Sequence, residues 1–449
     1  MSDVLRLLRE ERRARLFFIA LTQSALGTGA AYVALLLVAY DRLHSPWALS
    51  LVLLADLMPA MLLGPVFGAA ADRWSRRSCV VLADILRAGA FVGIWLVDDF
   101  TATVAFAALA GTGTGLFTPA SLAGLPSLVQ RERVPAATSL YGAISDLGFT
   151  AGPALAAVVL LFTGPEELLL ANGVTFAISA AILFRLPFGE VAEAPSQGRV
   201  VPSLLRDAWA GLKAVAAMRG VRIVLAGSAA ALFFGGVFNV GELLFATQEL
   251  DVGDAGYSAL VAMFGLGFII GSLTGSGGGS PAVLRRRFLQ GAFLMGLGFL
   301  LTGLAPSFAV GLLTFTVAGI GNGMLLVHER VIVQGAVPDP LLGRTFGVKD
   351  ALASWAFGTA FFAAGGLLTA IDSRALITGV GIGGLLVAAV CAAALHREGV
   401  PGDGPDDQRA PGWGLRRRGR ALSDLRGHEQ SADVIGGGDS RPTLLDHVD

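Results

Sequence analysis

The sequence is poor in charge and almost free of cysteine. Charged residues make up 15% of its 449 residues, whereas soluble domains carry about a quarter, so an ordinary soluble domain is excluded and no nucleic-acid partner is expected. The two cysteines, Cys79 and Cys391, lie in apolar stretches and offer neither a disulfide framework nor the spacing of a metal site. We expect both to be buried as small hydrophobic side chains.

Sequence signatures of catalysis and of cofactor binding are missing as well. The glycine-rich stretch GSGGGS at 275–280 has no lysine and follows an apolar run, which argues against the phosphate cradle of an ATP-binding loop. No Ser/His/Asp or Cys/His group suited to nucleophilic catalysis stands out. We therefore expect no enzymatic activity, no cofactor and no metal.

Long apolar stretches fill most of the chain instead. Hydrophobic residues make up 54% of the sequence. A helix needs about 20 mainly apolar residues to cross a bilayer, and twelve stretches near that length occur, approximately at 15–40, 47–71, 78–97, 101–127, 137–163, 166–186, 222–247, 256–277, 288–305, 308–333, 346–370 and 374–396. The first run is too long for a signal peptide and is followed by no small-residue cleavage site. The sequence predicts an all-α, multi-pass membrane protein with twelve transmembrane helices.

The distribution of arginine predicts the orientation of these helices. Loops that fall on one side of the membrane carry clusters of arginine, namely Arg6, Arg9, Arg12, Arg13, Arg15, Arg73, Arg76, Arg77, Arg131, Arg133, Arg285, Arg286 and Arg287. The short loops on the other side are acidic and contain only Arg42 and Arg374. Since positively charged loops remain in the cytoplasm, both termini are expected to be cytoplasmic in a cell-membrane protein.

The helices are expected to form two similar halves. We predict a cytoplasmic N-terminal segment at 1–14, six-helix bundles at 15–187 and 222–396, a cytoplasmic linker at 188–221 and a disordered cytoplasmic tail at 397–449. Gln130 and Gln334 stand at matching places in the halves, and each is followed by Val-Pro and then by an aromatic-Gly pair. Such internal repeats are typical of secondary transporters.

The loop between the second and third predicted spans carries a recognisable motif. Its sequence GAAADRWSRR, at 68–77, has the form Gly-x-x-x-Asp-Arg-x-x-Arg-Arg, and the stretches LADILRAG and GFTAGPALA lie at matching positions further on. Over about residues 10–395 the chain resembles the efflux branch of the major facilitator superfamily, which includes enterobactin exporters and macrolide efflux proteins. The resemblance implies a gate that locks the second span against the eleventh, formed here by Gly68, Asp72, Arg73, Arg76 and Arg77. Alternatively, the arginines only set the topology.

A second motif lies in the fifth predicted span. Gly148, Gly152 and Pro153 resemble the antiporter motif of drug exporters, although alanines replace the glycine pair that follows in the family. Proline bends a helix and glycine permits close helix packing, so simple packing is the alternative. The fourth span also lacks the arginine that couples protons in the best-known antiporters of the family.

Ionisable residues inside the spans are the remaining candidates for a site. Each costs on the order of 3 kcal/mol at the bilayer centre on an insertion scale. Asp84 and Arg87 stand three residues apart on one helix and can form a structural pair. Asp56 and Glu242 have no evident partner in their own spans, which makes them the first candidates for a site that binds protons or substrate. The other candidates are Asp146, Asn239, His328, Glu329 and Arg330.

These observations lead to a functional hypothesis. We expect a secondary transporter that exports a lipophilic or amphipathic small molecule by alternating access, in exchange for protons, and that works as a monomer in the bilayer. Aromatic residues on the spans, such as Tyr32, Phe149 and Trp355, favour an apolar substrate mildly. The alternatives are an uptake carrier, a lysolipid translocator of the same fold, or a membrane sensor that no longer transports.

Overall fold

A computed structural model describes residues 2–188, 212–213, 215–277 and 279–397. Most of the predicted linker and nearly all of the predicted C-terminal tail lie outside these residues, and so does the side chain of Asp72. The predicted domain boundaries therefore remain predictions.

The regular structure of the described residues is helical, as the sequence predicts. A short helix, α1 (Ser2–Glu10), precedes the first six long helices, which are α2 (Arg12–Leu43), α3 (Pro46–Arg73), α4 (Arg76–Leu96), α5 (Phe100–Gly124), α6 (Val134–Val159) and α7 (Pro165–Phe184). The next six are α8 (Arg219–Leu244), α9 (Asp254–Leu273), α10 (Pro281–Gly303), α11 (Phe308–Ala336), α12 (Asp339–Leu367) and α13 (Ser373–His396). Helices α2 to α13 correspond in order to the twelve predicted spans.

Ten of these helices are long and apolar enough to cross a membrane, counted over the described residues. The other two carry charge within their length. Helix α10 begins with three consecutive arginines in its first two turns, and α12 contains Arg344, Lys349 and Asp350. The all-helical membrane class is confirmed, while the crossing of the membrane by α10 and α12 remains a prediction.

The two sets of six long helices pack by one repeated scheme. In the first set, α2 packs against α6 and α7, α4 packs against α5 and α7, and α3 packs against α5. The same pairs recur six helices later, as α8 with α12 and α13, α10 with α11 and α13, and α9 with α11. The sets, which we call the first and second halves, meet chiefly where α6 packs against α9 and α3 against α12.

Short loops end in residues that start the next helix. In five of them a serine or aspartate side chain accepts a hydrogen bond from a backbone N–H in the first turn, the caps being Ser45, Ser75, Asp99, Ser280 and Asp372. These caps satisfy N–H groups that the helix itself leaves unpaired. With its first turn capped, each of these helices can begin directly after a short loop.

Two arginines on the acidic side of the molecule are explained by their partners. We call the face with α1 and the α3–α4 loop the arginine-rich face, and the face with the α2–α3 loop the acidic face. Arg42, at the end of α2, forms an ion pair of 2.9 Å with Glu166 of α7 and donates to a carbonyl at the end of α4. Arg374, at the start of α13, forms one of 3.0 Å with Glu249 after α8 and donates to carbonyls at the end of α10. Equivalent helix pairs thus carry the same ion pair with the charges exchanged.

The crossing of α2 and α6 depends on glycine. A Cβ atom at Gly152 would lie 2.5 Å from the Cα of Gly29, and one at Gly148 would lie 2.6 Å from the carbonyl oxygen of Ala25. Backbone therefore packs directly against backbone, as small residues allow in membrane helices. Both glycines of the antiporter-like motif serve this contact, and Pro153 is buried beside them in α6.

We expect the substitution Gly152→Leu to destabilise the protein by about 3 kcal/mol, because overpacking against backbone leaves no side chain free to yield. The measurement is thermal unfolding of the purified protein in detergent. Gly142→Leu is the matched control on the same helix, since no described atom lies within 4 Å of a Cβ at that position. Equal melting temperatures of the two variants would contradict this account of the crossing.

Candidate functional site

Acidic and tyrosine side chains from both halves come within electrostatic reach of one another. Glu242 of α8 is 4% exposed and accepts a hydrogen bond of 3.2 Å from the hydroxyl of Tyr257 on α9, which is fully buried. Tyr32 of α2 lies within electrostatic reach of Glu242, of Tyr257 and of Asp56 on α3. We call Tyr32, Asp56, Glu242 and Tyr257 the central cluster.

Asp56 is the exposed member of the central cluster. The residue is exposed although it lies well inside α3. Its backbone packs tightly against α5, where a Cβ at Gly111 would collide with the carbonyl of Asp56. One side of α3 is therefore closed by protein, and the carboxylate borders open space.

Arg87 extends the central cluster into the first half. It is buried on α4 and forms an ion pair with Asp84, which is fully buried. Its guanidinium lies over the rings of Phe117 and Phe176, 4.3 Å and 4.2 Å from their centroids. It also interacts electrostatically with Asp56. The Asp84–Arg87 pair is thus formed as predicted from its spacing, but it does not stand apart from the candidate site.

The three consecutive charged residues of α11 separate in space. His328 is fully buried, with its Nδ1 atom 2.7 Å from the carbonyl oxygen of Met324. Glu329 is also fully buried and lies near Lys349 and Ser228. Arg330 is exposed and interacts with Asp146 of α6 in the other half. Successive residues of a helix point about 100° apart, so the sequence run does not form one site.

Asn239 lies half-buried on α8, one turn before Glu242. Tyr257 was not singled out by the sequence patterns, because a buried tyrosine is ordinarily a packing residue. One signal was nevertheless present: the chain has only four tyrosines. They are Tyr32, Tyr40, Tyr141 and Tyr257, and each lies on a long helix beside a charged or hydrogen-bonding side chain.

The two halves touch at the acidic face. Trp47 of α3 and Phe362 of α12 are in edge-to-face contact with ring centroids 5.4 Å apart. Nearby, the amide of Gln248 donates a hydrogen bond of 3.0 Å to the hydroxyl of Tyr40. Deeper along the helices, Thr150 of α6 donates a bond of 3.3 Å to the carbonyl oxygen of Gly265 on α9. Contact between the halves thus runs from this face toward the middle of the molecule.

Open space separates the helices toward the arginine-rich face. A Cβ atom at Gly68 of α3, or at Gly343 or Gly347 of α12, would meet no described atom within 4 Å. Arg73 and Arg77 are exposed, with the latter 5.3 Å above the ring of Phe184, and Arg76 is half-buried. The glycine of the signature loop is therefore not packed against α12 in this conformation.

No group of three or more His, Cys, Asp or Glu side chains in the described ranges could hold a metal ion. Asp84 and Arg87 form an ion pair, Arg87 lies within electrostatic reach of Asp56, and Tyr32 lies within reach of both Asp56 and Glu242. These links join residues of the first half to Glu242 in the second half.

Known proteins resemble this chain over most of its length. It is 26% identical over 362 residues to the uncharacterized MFS-type transporter YfiS of Bacillus subtilis, covering 76% of this chain and 83% of YfiS. It is 26% identical over 364 residues to the multidrug efflux pump Tap of Mycobacterium tuberculosis, covering 77% and 85% of the two chains. The crystal structure of the nucleoside transporter NupG superposes with a TM-score of 0.69 at 13% identity, covering 86% of this chain and 99% of NupG.

The family assignment follows from a match that spans the repeat. A sequence model described as Major Facilitator Superfamily matches residues 17–289, from α2 into α10. That stretch includes the signature loop, the central cluster and the start of the second half. The chain belongs to the Major Facilitator Superfamily of membrane transporters.

Proposed function

We propose that this transporter exports a lipophilic or amphipathic small molecule by alternating access, in exchange for protons. The observation that carries the proposal is Glu242, a buried carboxylate inside a membrane helix that accepts a hydrogen bond from Tyr257. A carboxylate there is costly, and such residues in membrane proteins mark proton or substrate pathways.

Proton exchange requires that the site change its surroundings during the transport cycle. Glu242 and Tyr257 belong to the second half, whereas Tyr32 and Asp56 belong to the first. A movement of one half against the other would change the electrostatic contact between Asp56, Tyr32 and Glu242. In our proposal Glu242 takes up a proton from one side and releases it to the other, while Asp56, which borders open space, exchanges the proton with water or contacts the substrate.

The proposed direction of transport depends on which face of the molecule is cytoplasmic and on the similarity to known transporters. By the positive-inside rule, the arginine-rich face is cytoplasmic, so the space between the halves opens to the cytoplasm in this conformation and both termini lie there. An exporter loads its substrate in that state. The efflux pump Tap, which is similar over most of the chain, supports export over uptake.

The proposed substrate class is supported by an aromatic residue beside the central cluster. Phe149 of α6 is 72% exposed, and its ring centroid is 6.4 Å from that of Tyr32 in the central cluster. An exposed aromatic ring beside a few polar groups is typical of sites for organic molecules. A sugar or a phosphorylated compound would require more hydrogen-bonding or cationic side chains than the central cluster offers.

Proton release from inverted, acidified membrane vesicles tests the proposal. The vesicles are challenged with a panel of lipophilic antibiotics and siderophores. We expect substrate-triggered release in the wild type, its loss in Glu242→Gln and Asp56→Asn, and a decrease of about fivefold in Tyr257→Phe, which removes one hydrogen bond to Glu242. Glu167→Gln, the same change at an exposed position of α7, is the matched control.

The possible outcomes separate the alternatives. Release that persists in Glu242→Gln would reject this residue as the proton carrier. If no compound of the panel triggers proton release in the wild type, proton-driven export of these compounds is rejected. That result would favour an uptake carrier, a lysolipid translocator or a sensor.

A further inference from the structure

A groove of about 930 Å³ runs between α10 and α13 at the arginine-rich face. The two helices pack against each other and against other helices of the second half. The groove is open on its outer side. Its lining residues lie between Ala282 and Phe293 on α10 and between Leu385 and His396 on α13. The groove lies apart from the central cluster, and the transport mechanism proposed above does not use it.

The groove is polar at one end and apolar along the rest of its length. Because α10 and α13 are antiparallel, the start of α10 and the end of α13 meet, which brings Arg285, Arg286 and His396 to one end. Arg286 and His396 are exposed. No acidic residue stands beside Arg286 and His396 in the described lining.

Small side chains give the apolar part its depth. Ala388, Ala389, Ala392 and Ala393 form a floor on α13 that larger residues of α10 overhang, among them Phe293, which is 50% exposed. From Arg286 to Phe293 the helix rises by about 10 Å. The apolar part therefore extends from the charged end toward the middle of the membrane, over a length that suits part of an acyl chain.

We propose that this groove binds an anionic phospholipid of the adjacent leaflet. Its phosphate would lie against Arg286 at the charged end, and one acyl chain would lie along the alanine floor. Charge complementarity favours an anionic headgroup, since basic pockets between membrane helices near the cytoplasmic surface bind such lipids. The outward position supports a lipid: Leu386 and Val390 on the same helix are 61% and 67% exposed, as lipid-facing residues are.

Binding of fluorescent phosphatidylglycerol to the full-length protein in detergent tests this inference. Unlabelled phosphatidylglycerol is expected to compete at least tenfold better than phosphatidylcholine, and inorganic phosphate is expected not to compete. Arg286→Gln should weaken binding about fivefold, the factor that one basic residue near an anionic lipid contributes. Arg131→Gln, at an exposed arginine of the α5–α6 loop, should leave it unchanged.

A second pair of variants tests the acyl site without changing charge. Ala389→Phe fills the groove and should weaken binding at least tenfold, whereas Val390→Phe places the same aromatic ring on α13 outside the groove lining and should not. Equal competition by phosphatidylcholine, full competition by phosphate, or unchanged binding in both Arg286→Gln and Ala389→Phe would each overturn the proposal. None of these readouts depends on transport, so they are independent of the proposed function.

Discussion

Replacing Asp84 with alanine is expected to lower the free energy of unfolding by about 3–5 kcal/mol, the cost of leaving a buried charge without its partner. Asp84 is fully buried and Arg87 is 7% exposed. The rings of Phe117 and Phe176 lie over the guanidinium and can attract a cation. They cannot accept hydrogen bonds from its N–H groups as a carboxylate does. Asp84→Ala therefore leaves the buried Arg87 without its ion-pair partner, and Asp56 offers only a longer-range interaction.

The measurement is denaturant-induced unfolding of the purified protein in detergent. The double variant Asp84→Ala/Arg87→Leu should recover most of the lost stability, because replacing a buried ion pair by apolar residues is often neutral. Asp350→Ala is the control, since it removes a mostly exposed carboxylate that lies 3.6 Å from Lys349, and it should cost less than 1 kcal/mol. A double variant less stable than Asp84→Ala would show that the unpaired charge of Arg87 is not the cause of the lost stability.

A disulfide across the acidic face is expected to abolish transport. A Cβ atom at Gly365 of α12 would lie 3.0 Å from the Cβ of Ser50 on α3, close to the separation that disulfides require. The variant Ser50→Cys/Gly365→Cys, once oxidised, joins the two halves at the end where they now touch. If alternating access requires the halves to separate there, substrate-driven proton release should fall to background and return after reduction.

The chain offers a matched control for the cross-link. A Cβ at Gly227 of α8 would lie 3.9 Å from the Cβ of the native Cys391 on α13, and both helices belong to the second half. Oxidised Gly227→Cys therefore carries a disulfide within one half and should transport normally if each half moves as a unit. Full activity of the oxidised Ser50→Cys/Gly365→Cys protein would contradict alternating access at this face.

Family membership and fold class could be predicted from the sequence for a physical reason. The length of an apolar stretch and the residues that end it are local properties, and the membrane converts them directly into helices. The repeat at Gln130 and Gln334 and the loop at 68–77 added the two-half architecture and the family. Because the family consists of transporters, the expectation of a protein other than an enzyme is confirmed.

The composition of the site could be predicted only in part. Asp56 and Glu242 stood out because neither has a partner on its own helix, and that argument needs no tertiary information. Tyr257, the hydrogen-bond donor to Glu242, did not stand out, since it lies on another helix and its role depends on how α8 and α9 are rotated against each other. The electrostatic interaction of Arg87 with Asp56 was hidden for the same reason, because the pairing of Arg87 with Asp84 looked complete.

The sequence by itself determined that this chain forms two sets of membrane helices and which polar residues lie within them. Only the tertiary structure decided which of those residues meet: it gathered Asp56, Tyr32 and Glu242, separated His328, Glu329 and Arg330, and matched Arg42 and Arg374 with acidic partners. The physical reason is that hydropathy depends on residues adjacent in the chain. Contacts between helices depend instead on how the helices are rotated and where they cross. Glycines help to determine both, because they allow two backbones to approach closely, and hydropathy does not report that property.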